Sequence, residues 1–178
     1  KRYITNAAVS RVWTVMARTP VPGKPGKDAI TAFLVTPDMS GVEMIEGRMP
    51  KLGIRGTATG RFRLNNVRVP KENILGPLGK GLRVALTVLD FGRTTFGACC
   101  TGAAKHCLQL AIEHANSRQQ FKKTLGNFDL VKKKIGRMAA DVYAMEAMTN
   151  VTASLIDRGL EDYMIETAML KVFTTERL

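Results

Sequence analysis

The sequence predicts an α+β chain: an antiparallel β segment over residues 1–76, followed by an antiparallel helical bundle over residues 77–178. Three observations predict it. Short runs rich in Val, Thr, Ile and Phe fill the first 70 or so residues, and no helical period fits them. Gly76-Pro77 and Gly79-Lys80-Gly81 then punctuate the chain. From Leu82 onward, apolar residues recur at helical spacing.

The first strand is predicted over 12–19 and the second over 29–36, both β-branched and half apolar. Between them Pro20, Pro22 and Pro25 with Gly23 and Gly26 mark a hairpin-type loop. A third strand is expected over 42–48 and a fourth over 61–69. In the fourth, Phe62 and Leu64 face one side and Arg61 and Arg63 the other. Asn65-Asn66 interrupt it, and Val67 and Val69 resume the alternation.

Three helices follow. The first starts at Leu82, with Leu82, Ala85, Leu86, Leu89, Ala103, Cys107, Leu110, Ala111 and His114 as its expected inner stripe. Gly92, Gly97 and Gly102 weaken it locally and leave room for a close neighbour or ligand. The second spans about 130–157, with Val131, Ile135, Met138, Val142, Met145, Thr149, Thr152 and Ile156 inward. Arg158-Gly159 ends it with a basic turn and a C′ glycine. The third starts near Asp162, with Ile165, Ala168, Met169, Val172 and Phe173 inward. Short loops between long helices imply antiparallel neighbours.

Composition narrows the function classes. With 178 residues, 45% hydrophobic and 24% charged, the chain can offset its ordering entropy by burial, so general disorder is excluded. No run of about 18 apolar residues occurs, so no membrane-spanning helix is expected. Cys99, Cys100 and Cys107 lack disulfide or zinc spacing, which fits a reducing compartment. The chain opens without Met and closes inside a helical pattern, and it reads as an internal segment of a longer protein. A net charge of +12 implies an anionic partner: nucleic acid, an acidic membrane surface or a phosphorylated cofactor. The basic residues are scattered and do not interleave with aromatics, so no nucleic-acid platform is expected.

Catalytic signatures are sparse. The sequence holds no GxGxxG after a strand, no P-loop, no GxSxG and no HExxH. His106 and His114, eight positions apart, are too distant for one metal. Three constellations carry chemistry. Tyr3-Ile4-Thr5-Asn6 leads out of a strand, where Thr5 could equally be a plain strand residue. Asp90 and Arg93 lie three apart on one helix face, as a site or as a surface ion pair. Ser117-Arg118-Gln119-Gln120-Phe121 stands at a helix end beside a basic loop, where Arg118 could simply oppose the helix dipole.

Taken in order, these pieces resemble the acyl-CoA dehydrogenase family, in its very-long-chain branch, which includes a relative used as a respiratory complex assembly factor. Lys1 to Asn6 resembles the K-x-W-I-T/S-N segment, and Lys51 to Thr59 the K-x-G-x-R-x-S-x-T loop. Val67 to Gly76 matches V-x-V-P-x-x-N-x-L-G, and Arg118 to Phe121 follows at the expected interval. The resemblance implies that residues 1–76 belong to the family's middle β domain and 77–178 to the first helices of its C-terminal domain.

It also implies FAD as cofactor, with Tyr3, Ile4 and Thr5 at the isoalloxazine, Tyr3 standing where the family has Trp. Arg118, Gln120 and Phe121 would reach the FAD of a neighbouring subunit. Leu89, Asp90 and Arg93 would line the acyl-CoA site. The implied reaction is α,β-dehydrogenation of a fatty acyl-CoA in β-oxidation, by a homodimer or homotetramer that passes electrons to an electron-transfer flavoprotein. The compartment would be the mitochondrial matrix or a bacterial cytoplasm. Most members take their base from a Glu in an E-G-T motif well downstream, and some from the position that is Gly92 here, which carries no carboxylate, so the resemblance implies a base beyond Leu178 and an inactive segment. The role of the family Gln is not carried to Asp129. The alternative is a dehydrogenase-like interaction or assembly protein, its catalysis secondary or lost.

Overall fold

Trp13 and Phe62 organise the first half of the chain. The structure, a computed structural model, describes residues 1–21 and 23–178. It divides into two units, Lys1–Leu86 and Thr87–Leu178.

In the first unit, β1 (Trp13–Pro20) pairs antiparallel with β2 (Asp28–Val35), from Trp13 opposite Val35 to Pro20 opposite Asp28. The loop between them is the predicted one; of its residues Pro22 lies outside those described. β3 (Val42–Glu46) pairs with β4 (Arg61–Leu64), with a register shift between Met44 and Glu46. The Trp13 and Phe62 rings stack with centroids 4.3 Å apart, and Ala7, Val15 and Val35 complete the core around them. Such a stack adds about 1 kcal/mol beyond area burial.

The fourth strand stops at Leu64, short of the predicted Val69. Asn66 takes a left-handed conformation (φ +49°), which turns the chain off the ladder. Val69 still packs against the core, so the alternation persists without pairing. A strand the sequence did not reveal, β5 (Ile74–Leu75), adds to the free edge of β2. The V-P-x-x-N motif builds that edge: a 3-10 turn covers Lys71–Asn73, and the Asn73 amide donates to the Leu34 carbonyl at 2.9 Å.

The second unit holds most of α1 (Gly81–Ser117), a small hairpin of β6 (Gln119–Gln120) and β7 (Lys123–Thr124), α2 (Asp129–Asp157) and α3 (Met164–Arg177). α2 buries the predicted stripe, with Val142, Met145 and Thr152 innermost. Gly159 follows its end at φ +80°, as predicted.

The other two helices are rotated from their predicted faces. On α1, Leu82, Leu86, Leu89, Cys107, Leu110 and His114 are exposed, whereas Asp90, Gly97, Cys100, Thr101 and Ala104 are buried. On α3, Ile165, Met169 and Val172 are exposed, whereas Thr167, Leu170 and Thr174 are buried. The reason is threonine chemistry. Thr101 donates to Gly97 O at 2.9 Å and Thr174 to Leu170 O at 2.8 Å, so each satisfies its hydroxyl within its own helix and can be buried. Thr101 and Thr149 also share a hydrogen bond of 3.0 Å between α1 and α2. Among the described residues, no helix is long and apolar enough to cross a membrane.

Candidate functional site

Two units carry three clusters of candidate residues. In the first unit, Ile4 forms an isolated bridge to Gly60, with Ile4 N to Gly60 O at 3.0 Å and Gly60 N to Ile4 O at 2.9 Å. A Cβ on Gly60 would stand 2.6 Å from the Glu46 carbonyl, so only glycine lets the strands approach. Ile4 is thereby pinned between two bends, because Tyr3 and Asn6 both take φ +58°. Asn tolerates this conformation; a tyrosine held there stores about 1 kcal/mol or more. The Asn6 side chain accepts from Ala58 N at 3.0 Å, which ties the bend to the loop preceding β4.

That loop is built on Lys51. Its ammonium donates to Thr57 O at 3.0 Å, to Thr59 Oγ1 at 3.0 Å and to Thr57 Oγ1. The motif Lys51-x-Gly53-x-Arg55-x-Thr57-x-Thr59 is therefore the clamp for the Ile4–Asn6 bend. The bend leaves the Tyr3 ring 65% exposed, with the Arg2 guanidinium 4.6 Å above it, and leaves Thr5 exposed beside it. Thr5 lies in a turn, which corrects the strand reading.

In the second unit, Asp90 and Arg93 meet one turn apart on α1. Arg93 Nη1 donates to Asp90 Oδ1 at 2.6 Å, and Thr167 of α3 donates to the same oxygen at 3.3 Å. The Asp90 side chain is 6% exposed and that of Arg93 32%. This is no surface pair: the carboxylate is an interior anchor and the guanidinium reaches the boundary. Leu89 stands beside them, exposed. Nothing lies within 4 Å of a Cβ built on Gly92. Thr167 escaped sequence reasoning, because a helical threonine carries no periodic signal.

The third cluster is the β6–β7 hairpin. Its two turn residues, Phe121 (φ +51°) and Lys122 (φ +63°), both take the left-handed conformation of a type I′ turn. Arg118 closes the helix end through its backbone, donating to His114 O at 2.9 Å and accepting from Leu125 N at 2.8 Å. Phe121 stands at the apex, 87% exposed, its ring edge-on to Phe128 at 6.4 Å. The Arg118 and Gln120 side chains make no hydrogen bond or ion pair among the described residues. All three side chains are thus displayed outward.

Comparison with known proteins decides the family. The model for "Acyl-CoA dehydrogenase, middle domain" matches residues 1–67, and that for "Acyl-CoA dehydrogenase, C-terminal domain" matches residues 79–178. The chain belongs to the acyl-CoA dehydrogenase family.

Similar curated proteins include a probable acyl-CoA dehydrogenase, FadE10, of Mycobacterium tuberculosis, 39% identical over 177 residues. The mitochondrial very long-chain specific acyl-CoA dehydrogenase of Homo sapiens is 34% identical over 179 residues. In both cases 99% of this chain is covered, and it spans 27% of the relative's length. Among solved structures, butyryl-CoA dehydrogenase from Megasphaera elsdenii matches 99% of this chain and 45% of its own, at TM-score 0.84 and 29% identity. An acyl-CoA dehydrogenase from Bacillus anthracis, solved with FAD, matches 99% of this chain and 32% of its own, at TM-score 0.79 and 32% identity. The α+β class, antiparallel strands followed by helices, is that of the acyl-CoA dehydrogenase fold.

Proposed function

We propose that the protein to which this chain belongs dehydrogenates fatty acyl-CoA thioesters between the α and β carbons, as a step of fatty acid β-oxidation. The reading is carried by one observation: the two family models match the chain in order, from residue 1 to 67 and from 79 to 178. Residues 1–76 are then part of the middle β domain, and 77–178 the first helices of the C-terminal domain.

FAD is the proposed cofactor, and the residues present fit it. A flavin needs a flat partner, a hydroxyl or N–H at its polar edge, and cations for its phosphates. The bend around Ile4 displays the Tyr3 ring and the Thr5 hydroxyl, and the hairpin displays Arg118, Gln120 and Phe121. Tyr3, Ile4 and Thr5 would orient the isoalloxazine; Arg118, Gln120 and Phe121 would hold the cofactor of a neighbouring subunit in a homodimer or homotetramer. When bound, FAD would supply the acceptor for the hydride that leaves the substrate's β carbon. Arg93 meets the phosphate or pantetheine end of the CoA portion and Leu89 lines the same channel; the CoA contact that the resemblance implies for Asp90 is made through Arg93, because its own carboxylate is buried. Family resemblance assigns the base to a downstream glutamate beyond Leu178, because the alternative position used by some members is Gly92 here, which cannot take a proton. Electrons leave to an electron-transfer flavoprotein, in the mitochondrial matrix or a bacterial cytoplasm.

The full-length protein tests this. It is expected to purify yellow and to lose its flavin absorbance when an acyl-CoA is added without oxygen. A colourless protein, or a flavin that no acyl-CoA reduces, favours an interaction protein that keeps only the fold.

A further inference from the structure

We infer that Thr167 is a positioning residue for the substrate site, acting through Asp90 on Arg93; this rests on the reading above that Arg93 meets the CoA portion. The Asp90 carboxylate is almost wholly removed from water, and burying such a charge is costly unless donors compensate it. Two donors converge on its Oδ1 from different helices: Arg93 Nη1 at 2.6 Å and the Thr167 hydroxyl at 3.3 Å. Thr167 is itself fully buried. Its single hydroxyl hydrogen can choose between the Met164 carbonyl at 3.1 Å and the carboxylate, and a charged acceptor binds it more strongly.

The arrangement orients an arginine. Arg93 alone could hold Asp90 from the same helix, but both side chains would then turn together about α1. The bond from α3 fixes the carboxylate from outside that helix, and so fixes where the guanidinium points. Arg93 makes no other hydrogen bond among the described residues, and its side chain is a third exposed. Its remaining N–H groups stay available to an anionic or carbonyl group of a ligand. A guanidinium held in one orientation binds such a group without first losing its own freedom.

The test compares Thr167→Val, Thr167→Ser and Arg93→Ala in the full-length protein. It reads kcat and KM with an acyl-CoA, and the Kd of coenzyme A by titration calorimetry. Valine keeps the shape and removes the donor; serine keeps the donor and removes a methyl. Thr167→Val is expected to raise both KM and the coenzyme A Kd about tenfold, with kcat within about twofold of the parent. Thr167→Ser is expected to restore both constants, which a packing role would not do. Unchanged constants in Thr167→Val, with Arg93→Ala still weakened, overturn the inference and leave the substrate reading standing. Equal losses in the valine and serine variants overturn it in favour of packing. An Arg93→Ala protein that binds coenzyme A as the parent does removes the substrate reading, and the inference with it.

Discussion

Gly97 shows how a single residue sets a helix contact. A Cβ built there would stand 2.7 Å from Leu170 Cγ, the branch point of a fully buried side chain on α3. Gly102, five residues on, has nothing within 4 Å of its own virtual Cβ. The two glycines therefore respond oppositely to alanine. Both gain helix propensity, worth about 1 kcal/mol. At Gly97, overpacking costs about 1–3 kcal/mol and outweighs that gain. Thermal unfolding should show Gly97→Ala less stable than the parent and Gly102→Ala more stable, by about 0.5–1 kcal/mol. Two variants that shift the same way would mean that α1 and α3 do not meet at Leu170.

At the scale of elements, the β6–β7 hairpin joins a stability problem to a display problem. Phe121 and Lys122 both occupy the left-handed region, where an asparagine or glycine is the usual choice. Lys122→Gly should stabilise the turn by about 1 kcal/mol, read as slower amide exchange at Leu125, whose N–H donates to Arg118 O across the hairpin. Arg118 stands at the base of the same hairpin. Its backbone closes α1 and its side chain is displayed, so Arg118→Ala should leave the fold intact while the full-length protein retains FAD about tenfold less tightly. Flavin that stays bound through extended dialysis, with unchanged oligomer size, would return Arg118 to the role of a helix-end charge.

At the scale of the whole molecule, the chain is 27% of the length of its curated relatives, and its surface agrees with further contacts. α1 exposes Leu82, Leu86 and Leu89, and α3 exposes Ile165, Met169 and Val172. Exposed apolar faces of this kind promote association. A polypeptide of residues 1–178 alone should therefore sediment as oligomers. With added FAD and an acyl-CoA it should not reduce a dye acceptor, because the proposed base lies outside these residues and no carboxylate stands at Gly92 to replace it. Loss of a general base alone costs about 10² to 10⁴ in rate. Dye reduction above a no-protein control would place the base within these 178 residues.

Four strands followed by three helices, the loop after β1, the C′ glycine at 159 and the inner stripe of α2 were legible in the sequence. These follow from local preference and, on α2, from the helical spacing of Val131, Ile135, Met138, Val142 and Met145. The segments around Thr5, Asp90 and Arg118 could be singled out in the sequence because each is a short, contiguous run that resembles a family motif. The inward faces of α1 and α3 were decided only by the tertiary structure. There threonine, glycine and one aspartate are buried because partners on another helix satisfy or accommodate them. Thr167 meets Asp90, Leu170 fills the space above Gly97, and Thr149 meets Thr101. A hydrophobicity pattern scores each residue alone. It cannot register a hydroxyl paired across 77 positions.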